Sequence, residues 1–227
     1  MAQLTISEFN KIIEDYSFED FDYFIETGTY NGRSILPLAE HYPKKFFYTI
    51  EIVPQLVSYV NNLIKLKKLN NIKVYKGSSA NELNKIIKKL KKKKLCFFLD
   101  AHSSDYKGTD AKLIHKQTKR SQRNYFFNLY LKIIDLFSSK IIHTNIKKNK
   151  LSDIDVPLLK ELKLIINIKK KDILIIIDDL PMFSKKYFFA DWSNVSVGKI
   201  KKLLFGRKFL LKRINSGKKL LIIISGV

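Results

Sequence analysis

Two acidic residues and a glycine-containing loop, all between residues 24 and 51, form the most informative pattern in this sequence. Glu26 ends a short apolar run, and Gly28 and Gly32 follow it in a loop. Glycine lets the backbone turn sharply and lets a ligand approach where a Cβ atom would intrude. A second apolar run ends in Glu51, about 20 residues further on, where doubly wound folds place the acid that binds the ribose hydroxyls of a nucleotide-like ligand. The pattern therefore predicts one binding site for such a ligand.

Acidic residues also follow two later apolar runs. Asp100 comes directly after residues 95–99, and Asp178 and Asp179 come after residues 173–177. Parallel neighbouring strands end at the same edge of a sheet, roughly 5 Å apart, so these carboxylates are expected to lie close together. They repel each other unless one is protonated or a cation lies between them, and oxygen ligands suit Mg²⁺, Mn²⁺ or Ca²⁺ rather than zinc. Any one of these aspartates could instead cap a helix or a turn.

His102 lies two residues after Asp100, in a loop that is expected to face the same edge. An imidazole titrates near neutral pH, so this side chain could act as a general base. A hydrogen-bonded loop histidine and a histidine of a metal shell are equally good interpretations.

The elements that must position these residues alternate between strands and helices. Thr5 and Glu8 are spaced as a capping box at the start of an amphipathic helix over residues 4–16, and Pro54 suits the first turn of another helix. Alternating strands and helices require parallel strands joined by crossovers. The predicted strands cover residues 23–25, 46–50, 72–75, 95–99 and 173–177, the helices between them cover 33–41, 54–64, 83–90 and 156–168, and a hairpin over 209–214 and 220–225 ends the chain.

The sequence has 227 residues, 45% of them hydrophobic, which suffices for one α/β domain of ordinary size. We predict a single domain over residues 1–227 with an N-terminal helical segment at 1–21. The polar stretch 105–155 is too long for an ordinary connection and is predicted to be a lid or a substrate-binding insertion. The lone Cys96 lies in an apolar run, which indicates a buried thiol in a reducing compartment. With no membrane span and no signal peptide in the pattern, a cytoplasmic protein is expected.

The formal net charge of +22 raises the question of a nucleic-acid partner. The lysines are scattered in short runs along the whole chain and accompany abundant isoleucine and asparagine. This distribution favours a solvated, compositionally biased surface over a dedicated polyanion site.

The loop from Glu26 to Gly32, which reads Glu-Thr-Gly-Thr-Tyr-Asn-Gly, resembles motif I of the class I S-adenosylmethionine (SAM) dependent methyltransferases. The nicotinamide fingerprint is not met, because Tyr30 stands where its second glycine should be. The resemblance implies a Rossmann-like, mostly parallel seven-stranded sheet with helices on both faces and a C-terminal antiparallel hairpin. Ser78 stands where many relatives place an acid near the adenine. The implied SAM-binding residues are Glu26, Thr27, Gly28, Thr29, Tyr30, Gly32, Ser34, Glu51, Ile52, Ser78, Ser79 and Asp100.

The acids after the fourth and fifth strands resemble those of the cation-dependent O-methyltransferases, including the sugar and catechol types. By this resemblance Asp100, Asp178 and Asp179 would hold Mg²⁺ or Mn²⁺, and the ion would bind the acceptor hydroxyl and lower its pKa. Asp100 and His102 would be the catalytic residues. The Leu-Asp-Ala-His segment at 99–102 and the helix that begins near residue 156 are also similar to a group of little-characterised class I methyltransferases.

Motifs of three classes of nucleic-acid methyltransferase do not match. The segment after the fourth strand is not the D/N/S-P-P-aromatic motif of amino-methyltransferases, Cys96 lies within a strand, and acids replace the lysine of the RNA 2′-O enzymes. The resemblance to the cation-dependent enzymes implies an O-methyltransferase that acts on a small molecule or glycan with divalent-cation assistance, and the preference for a sugar rests on that resemblance alone. An RNA-directed methyltransferase and a catalytically silent SAM-binding module are the alternatives.

Overall fold

The structure is a computed structural model that describes residues 3–90, 94–102, 156–168, 172–187 and 190–225. The predicted insertion at 105–155 lies outside the described residues, and so does a helix that the sequence pattern predicts over residues 125–137.

A seven-stranded mixed sheet forms the centre of the fold. Its order is β3-β2-β1-β4-β5-β7-β6, with β1 to β5 parallel and β7 antiparallel to both β5 and β6. The crossovers lead from β1 to β2 and β3 on one side and then to β4 and β5 on the other side. The strand order therefore reverses between β1 and β4, and ligands of such sheets bind at that point. The strands are β1 (Tyr23–Thr27), β2 (Phe46–Glu51), β3 (Ile72–Lys76), β4 (Leu95–Leu99), β5 (Ile173–Ile177), β6 (Phe209–Ile214) and β7 (Lys219–Ile224).

Helices cover both faces of the sheet. Apolar residues of the first three helices pack on one face, and those of the next three pack on the other. The described helices are α1 (Ile6–Asp15), α2 (Ile35–His41), α3 (Pro54–Leu66), α4 (Ser79–Lys89), α5 (Leu158–Ile166) and α6 (Val197–Leu203). None of these helices is both long and apolar enough to cross a membrane.

The central strands β4 and β5 are buried along their whole length. Side chains alternate between the faces of a strand, so Cys96 and Phe98 enter the core on the α1 side while Phe97 and Leu99 enter the core on the α4 side. Strands that are covered on both faces read as continuous apolar runs. Burial therefore fixes the ends of β4 and β5 at Asp100 and Asp178, the first polar residues after each run.

The predicted fold class is confirmed, with three differences in detail. Strand β1 extends past Glu26 to Thr27, because Glu26 is buried among hydroxyl groups. The predicted capping box is only half formed: the Thr5 side chain accepts the Glu8 N–H, but the Glu8 carboxylate binds Lys219 instead of reaching back. Helix α6 was absent from the prediction.

Candidate functional site

The loop after β1 approaches the end of β4 so closely that only glycine fits at residue 28. Gly28 has a φ of +84°, and a Cβ atom on it would lie 2.4 Å from the Asp100 carbonyl oxygen and 3.0 Å from the Ala101 Cα. The Gly28 N–H donates to the Ile50 carbonyl at 3.0 Å. The loop after β1, residues 28–32, is called the ligand loop below. This loop, the end of β2 and the end of β4 thus meet at one point.

Glu51 holds the ligand loop to the turn after β2. One carboxylate oxygen accepts the Tyr30 N–H at 2.8 Å, and the other accepts the Val53 N–H at 2.9 Å. Burial raises the pKa of Glu51, while these backbone donors oppose the shift. Each carboxylate oxygen can accept more than one hydrogen bond. Glu51 can therefore position the loop and still bind the hydroxyls of a ligand.

Glu26 lies under the same loop in a buried chain of polar groups. Its carboxyl accepts the Thr49 hydroxyl at 2.7 Å, and the Thr49 hydroxyl is in turn hydrogen-bonded to that of Thr29. Burial raises the pKa of Glu26 to about 8, and the nearby charge of Glu51 adds to the effect. A positively charged ligand group above this acid would favour its ionised form.

The strand ends of β4 and β5 bring two carboxylates and an imidazole together. His102 Nε2 lies 2.9 Å from Asp179 Oδ2 and 3.8 Å from Asp100 Oδ1. Ligand atoms of these three residues all lie within 4.8 Å of one another. Burial raises the pKa of Asp100 well above its usual range, and the charges of Asp178 and Asp179 add to this shift. Such a group can hold a metal ion.

Asp178 lies near Asp100 but is not one of the three residues whose ligand atoms lie within 4.8 Å of one another. One of its oxygens accepts the Asp179 N–H at 2.9 Å, and the other is buried without a hydrogen-bond partner among the described residues. Asp179 has a left-handed backbone, with a φ of +57°, which turns its side chain toward His102. His102 therefore stands in the group where the sequence analysis placed Asp178.

A buried lysine neutralises part of this acidic cluster. Lys219, at the start of β7, has no exposed surface, and its Nζ lies 3.0 and 3.1 Å from the two Glu8 carboxylate oxygens and 3.3 Å from the Gln3 carbonyl. Its charge lowers the pKa of Asp178 and of Asp100, although burial outweighs it in both. Helix α1 is thereby joined to the edge of the sheet that carries the acids.

Aromatic rings bound the cluster on the side of the connection between β5 and α6. The Trp192 ring lies 5.7 Å from the His102 ring, and it stacks on Phe183 at 5.6 Å with an interplanar angle of 21°. Both aromatic side chains are buried. They restrict the His102 ring and surround it with apolar surface.

The remaining predicted cofactor residues line the edge from β1 to β3. Ile52 is 53% exposed beside Glu51, and Ser78 is exposed at the start of α4. Thr27 and Ser79 are buried. Ser34 is turned away from the loop, because its hydroxyl accepts the Leu4 N–H at 3.2 Å and so fastens the N-terminal segment.

The sequence analysis did not identify four polar or aromatic residues of this region. Thr49 lies within an apolar strand and Glu161 at a core position of α5, so a polar residue at an apolar position was the available signal for both. Lys219 is the first residue of β7 and gave no such signal. Trp192 is the single tryptophan of the chain, but nothing in its neighbourhood ties it to a motif.

Comparisons with known proteins bear on the fold and on residues 21–103. A family model described as "Putative methyltransferase" matches residues 21–103, which contain β1 to β4 and their ligand loops. The fold is similar to a structure described as a putative caffeoyl-CoA O-methyltransferase from Staphylococcus aureus, with 14% identity and a TM-score of 0.51 over 98% of this chain and 85% of that one. It is also similar to a putative O-methyltransferase from Klebsiella pneumoniae, with 12% identity and a TM-score of 0.51 over 99% and 82% of the two chains.

No curated protein sequence matches this chain. Identities this low establish a shared fold, while the family match covers the part of the chain that contains the ligand loop and Asp100. The chain therefore shares the fold of these two methyltransferase structures, and its residues 21–103 match a methyltransferase family model.

Proposed function

We propose that this protein is a SAM-dependent O-methyltransferase that acts on a hydroxyl group of a small molecule or glycan, with a divalent cation at the acceptor site. The observation that carries the proposal is the contact between Gly28 and the end of β4, where a Cβ would lie 2.4 Å from the Asp100 carbonyl. This contact supports the proposal because the loop after β1 lies next to Asp100, which is grouped with His102 and Asp179. A methyl donor bound to the loop would then lie next to an acceptor bound at the acids.

The residues of the ligand loop would bind and orient the donor. Glu51 would accept the ribose hydroxyls, and Glu26 lies where the positive groups of the donor would favour its ionised form. SAM would supply the methyl group, which leaves its sulfonium for the acceptor oxygen as that oxygen loses its proton, so that S-adenosylhomocysteine (SAH) is formed. Fixing both reactants side by side turns a bimolecular step into an effectively unimolecular one.

His102 would take up the acceptor's proton. With its Nε2–H directed at Asp179, 2.9 Å away, a neutral imidazole carries its basic lone pair on Nδ1. Asp179 then fixes the tautomer and stabilises the imidazolium that forms, as a carboxylate does for a catalytic histidine elsewhere. The buried Trp192 ring limits the rotation of His102.

The donor set also fits a cation. Two carboxylates and an imidazole with ligand atoms within 4.8 Å suit Mn²⁺ better than Mg²⁺, because Mg²⁺ prefers oxygen ligands. Asp100, Asp179 and His102 would hold the ion, and the ion would lower the pKa of an acceptor hydroxyl. If His102 serves as a ligand through Nε2, Asp179 binds the ion instead of orienting the ring.

Isothermal titration of purified, ligand-free protein with SAH tests the donor site. We expect binding to the wild-type protein, and at least about tenfold weaker binding to Glu51→Ala, which loses a charged acceptor. Glu40→Ala is the control, because Glu40 lies in an exposed ion pair with Lys67. If the wild-type protein binds neither SAM nor SAH, the proposal is wrong.

Transfer of a labelled methyl group from SAM to a panel of catechols, sugars and RNA tests the acceptor site. Transfer to a small-molecule or glycan hydroxyl should be lost in EDTA and restored by Mn²⁺. Activity that survives both EDTA and Asp179→Ala would contradict the role of the cation. SAH binding without transfer to any acceptor would instead support a silent SAM-binding module.

A further inference from the structure

A phenylalanine is almost fully exposed in the turn that follows α6. Phe205 is 90% exposed, which is the highest value for a large hydrophobic residue in the part of the chain that the structure describes. The turn contains a left-handed glycine, with a φ of +81° at Gly206, and a Cβ atom on it would meet nothing within 4 Å. The Phe205 ring therefore projects into solvent from a convex tip.

Contacts with the end of α5 hold this turn in place. The Arg207 guanidinium donates to the Ile166 carbonyl at 2.5 Å and to the Ile168 carbonyl at 3.2 Å. These carbonyls lie at or just past the end of α5, where helix carbonyls lack partners within the helix. The Arg207 N–H also donates to the carbonyl of the buried Leu204 at 3.0 Å. The backbone that carries Phe205 is thus ordered before any partner binds, which lowers the entropic cost of docking.

The charge around the turn is positive. Every charged side chain between residues 192 and 227 belongs to a lysine or an arginine. Lys201, Lys202 and Lys208 flank Phe205 in the sequence, and all three are exposed. The nearest acid in the register of the sheet is Asp172, directly before β5, which is two strands from β6 and roughly 10 Å away. The turn therefore combines an exposed aromatic ring with several cations.

Another exposed apolar residue with lysine neighbours has a different setting. Leu66, the last residue of α3, is 69% exposed, and it lies between Lys65 and Lys67. Lys67, however, is paired with Glu40 at 2.8 Å. Helix α3 packs beside β2 and β3, at the other end of the strand order from β6, and the twist of the sheet turns the two ends in different directions. Leu66 is therefore a matched control for Phe205.

We propose that the turn at Phe205 docks the protein on the surface of an anionic lipid bilayer. The Phe205 ring enters the headgroup boundary, the lysines bind acidic headgroups, and Leu210, 44% exposed at the start of β6, lies at the lipid surface. A single ring on a convex tip fits a fluid bilayer, which gives way around it, better than the rigid surface of a folded protein. Single-stranded RNA would pair with the lysines and stack on the ring, but it offers no partner for the aliphatic Leu210.

Docking through this turn leaves the acidic site open to solvent. Strand β6 runs parallel to β5, because both are antiparallel to β7, so the turn before β6 lies at the edge where β1 to β5 begin. Asp100 and Asp178 follow the opposite ends of β4 and β5, roughly 15–20 Å away along the strands. The inference therefore goes beyond the proposed function and does not depend on it.

Co-sedimentation of the whole chain with lipid vesicles tests the proposal. We expect the wild-type protein to bind phosphatidylcholine vesicles with about 30% phosphatidylserine at least about tenfold more tightly than vesicles of phosphatidylcholine alone. Phe205→Ser should weaken binding to the anionic vesicles at least about tenfold, because the ring no longer leaves water. Lys201→Gln combined with Lys202→Gln should also lose about tenfold or more, since each lysine near an anionic surface contributes about fivefold.

The matched controls are Leu66→Ser and the pair Lys65→Gln with Lys68→Gln, which should stay within about twofold of the wild-type affinity at about 0.1 M salt. Titration of Phe205→Ser with SAH should give the wild-type affinity, because the turn lies far from the proposed SAM site.

Three results would overturn the inference. The first is a wild-type protein that does not distinguish the two kinds of vesicle, and the second is a Phe205→Ser variant that keeps its full affinity. The third is an equal loss in Leu66→Ser and Phe205→Ser, which would assign vesicle binding to the general lysine-rich surface. Binding of single-stranded RNA that requires Phe205, in a protein that ignores anionic vesicles, would assign the turn to RNA instead. Failure to bind SAM or SAH would overturn the proposed function alone.

Discussion

The two halves of the ligand-binding edge differ in how completely their acids are paired. On the side of β1 and β2, both carboxylate oxygens of Glu51 accept backbone N–H groups, and Glu26 is bonded to Thr49. On the side of β4 and β5, Asp178 keeps a buried oxygen without a partner among the described residues, and the pKa of Asp100 is raised first by burial and then by its acidic neighbours. Glu51 and Glu26 are therefore hydrogen-bonded within the protein, whereas Asp178 is only partly paired among the described residues.

This difference has a physical basis. A loop that binds an uncharged sugar must be held in one conformation before binding, and backbone hydrogen bonds to a carboxylate achieve that. A cluster of carboxylates lowers its own free energy only when a cation or protons enter it. The loop after β1 is therefore held by hydrogen bonds within the protein, and we call this side the preformed half, whereas the carboxylates after β4 and β5 are only partly paired among the described residues.

Replacing Lys219 should have the largest effect on the pairing of the acids after β5. Lys219→Met removes a fully buried cation from between Glu8 and the acids after β5. We expect the free energy of unfolding to fall by about 3 kcal/mol or more, in the lower part of the range for broken buried ion pairs because Glu8 remains 19% exposed. Chemical denaturation measures the change.

Lys67→Met is the matched control for Lys219→Met, since the Lys67–Glu40 pair is exposed on both sides and should lose less than about 1 kcal/mol. Adding Glu8→Gln to Lys219→Met should recover part of the loss, because the unpaired partner is then neutral. Equal losses for Lys219→Met and Lys67→Met would show that the buried lysine has no special role.

The preformed half can be disrupted at Gly28. Gly28→Ala combines a left-handed backbone with a Cβ placed 2.4 Å from the Asp100 carbonyl, and we expect a loss of about 3 kcal/mol in unfolding free energy. Gly206→Ala has nearly the same φ, +81°, with nothing within 4 Å of its Cβ, so it should lose only about 1–2 kcal/mol. Thermal unfolding of the two variants separates backbone strain from the contact with β4, and equal losses would contradict the close approach.

Glu26 predicts how stability depends on pH. Its pKa is raised from 4.5 to about 8 by burial, with a further contribution from Glu51 and an opposing hydrogen bond from Thr49. An acid whose pKa is higher in the folded state contributes stability that is fully present below its unfolded pKa and is lost as the pH rises toward the folded pKa. Between about pH 5 and 8, the ligand-free wild-type protein should lose about 2–3 kcal/mol more than Glu26→Gln does.

Unfolding titrations of wild-type and Glu26→Gln protein at several pH values measure this difference. Glu40→Gln should follow the wild-type curve, because its exposed pair lies on the surface. Parallel curves for wild type and Glu26→Gln would mean that Glu26 is ionised in the folded protein throughout this range.

The strands and the glycine-containing loop could be predicted from the sequence, because each of them has a local sequence pattern. Strands β4 and β5 are short apolar runs that end in acids, and the structure has them at the predicted bounds. The spacing of Gly28 and Glu51 reflects the length of one strand-helix-strand unit, which is nearly constant in such folds. Helix α6 escaped prediction because only Ile200 of its residues is buried, so it shows no apolar period.

The composition of the acidic site depends on contacts that no local pattern records. The group whose ligand atoms lie within 4.8 Å of one another contains His102 beside Asp100 and Asp179, while the metal role predicted for Asp178 stays a prediction. Lys219 is placed by Glu8, which is at the other end of the chain. Because Glu8 and Lys219 are so far apart in the sequence, the local pattern shows only a lysine at the start of an apolar strand. That feature by itself does not predict an ion pair.

Stabilisation by Mn²⁺ is the smallest of the effects that we expect to distinguish the two halves. A ligand that binds only the folded protein stabilises it by mass action, so Mn²⁺ at about 30 times its dissociation constant should add about 2 kcal/mol to the free energy of unfolding. Asp179→Ala removes one of the grouped carboxylates and should abolish this gain, whereas Glu51→Ala, on the preformed half, should retain it. Differential scanning fluorimetry with and without Mn²⁺ measures the shift. A gain that persists in Asp179→Ala would place the cation elsewhere on the protein, and the unpaired acids of β4 and β5 would then have to be neutralised by protons alone.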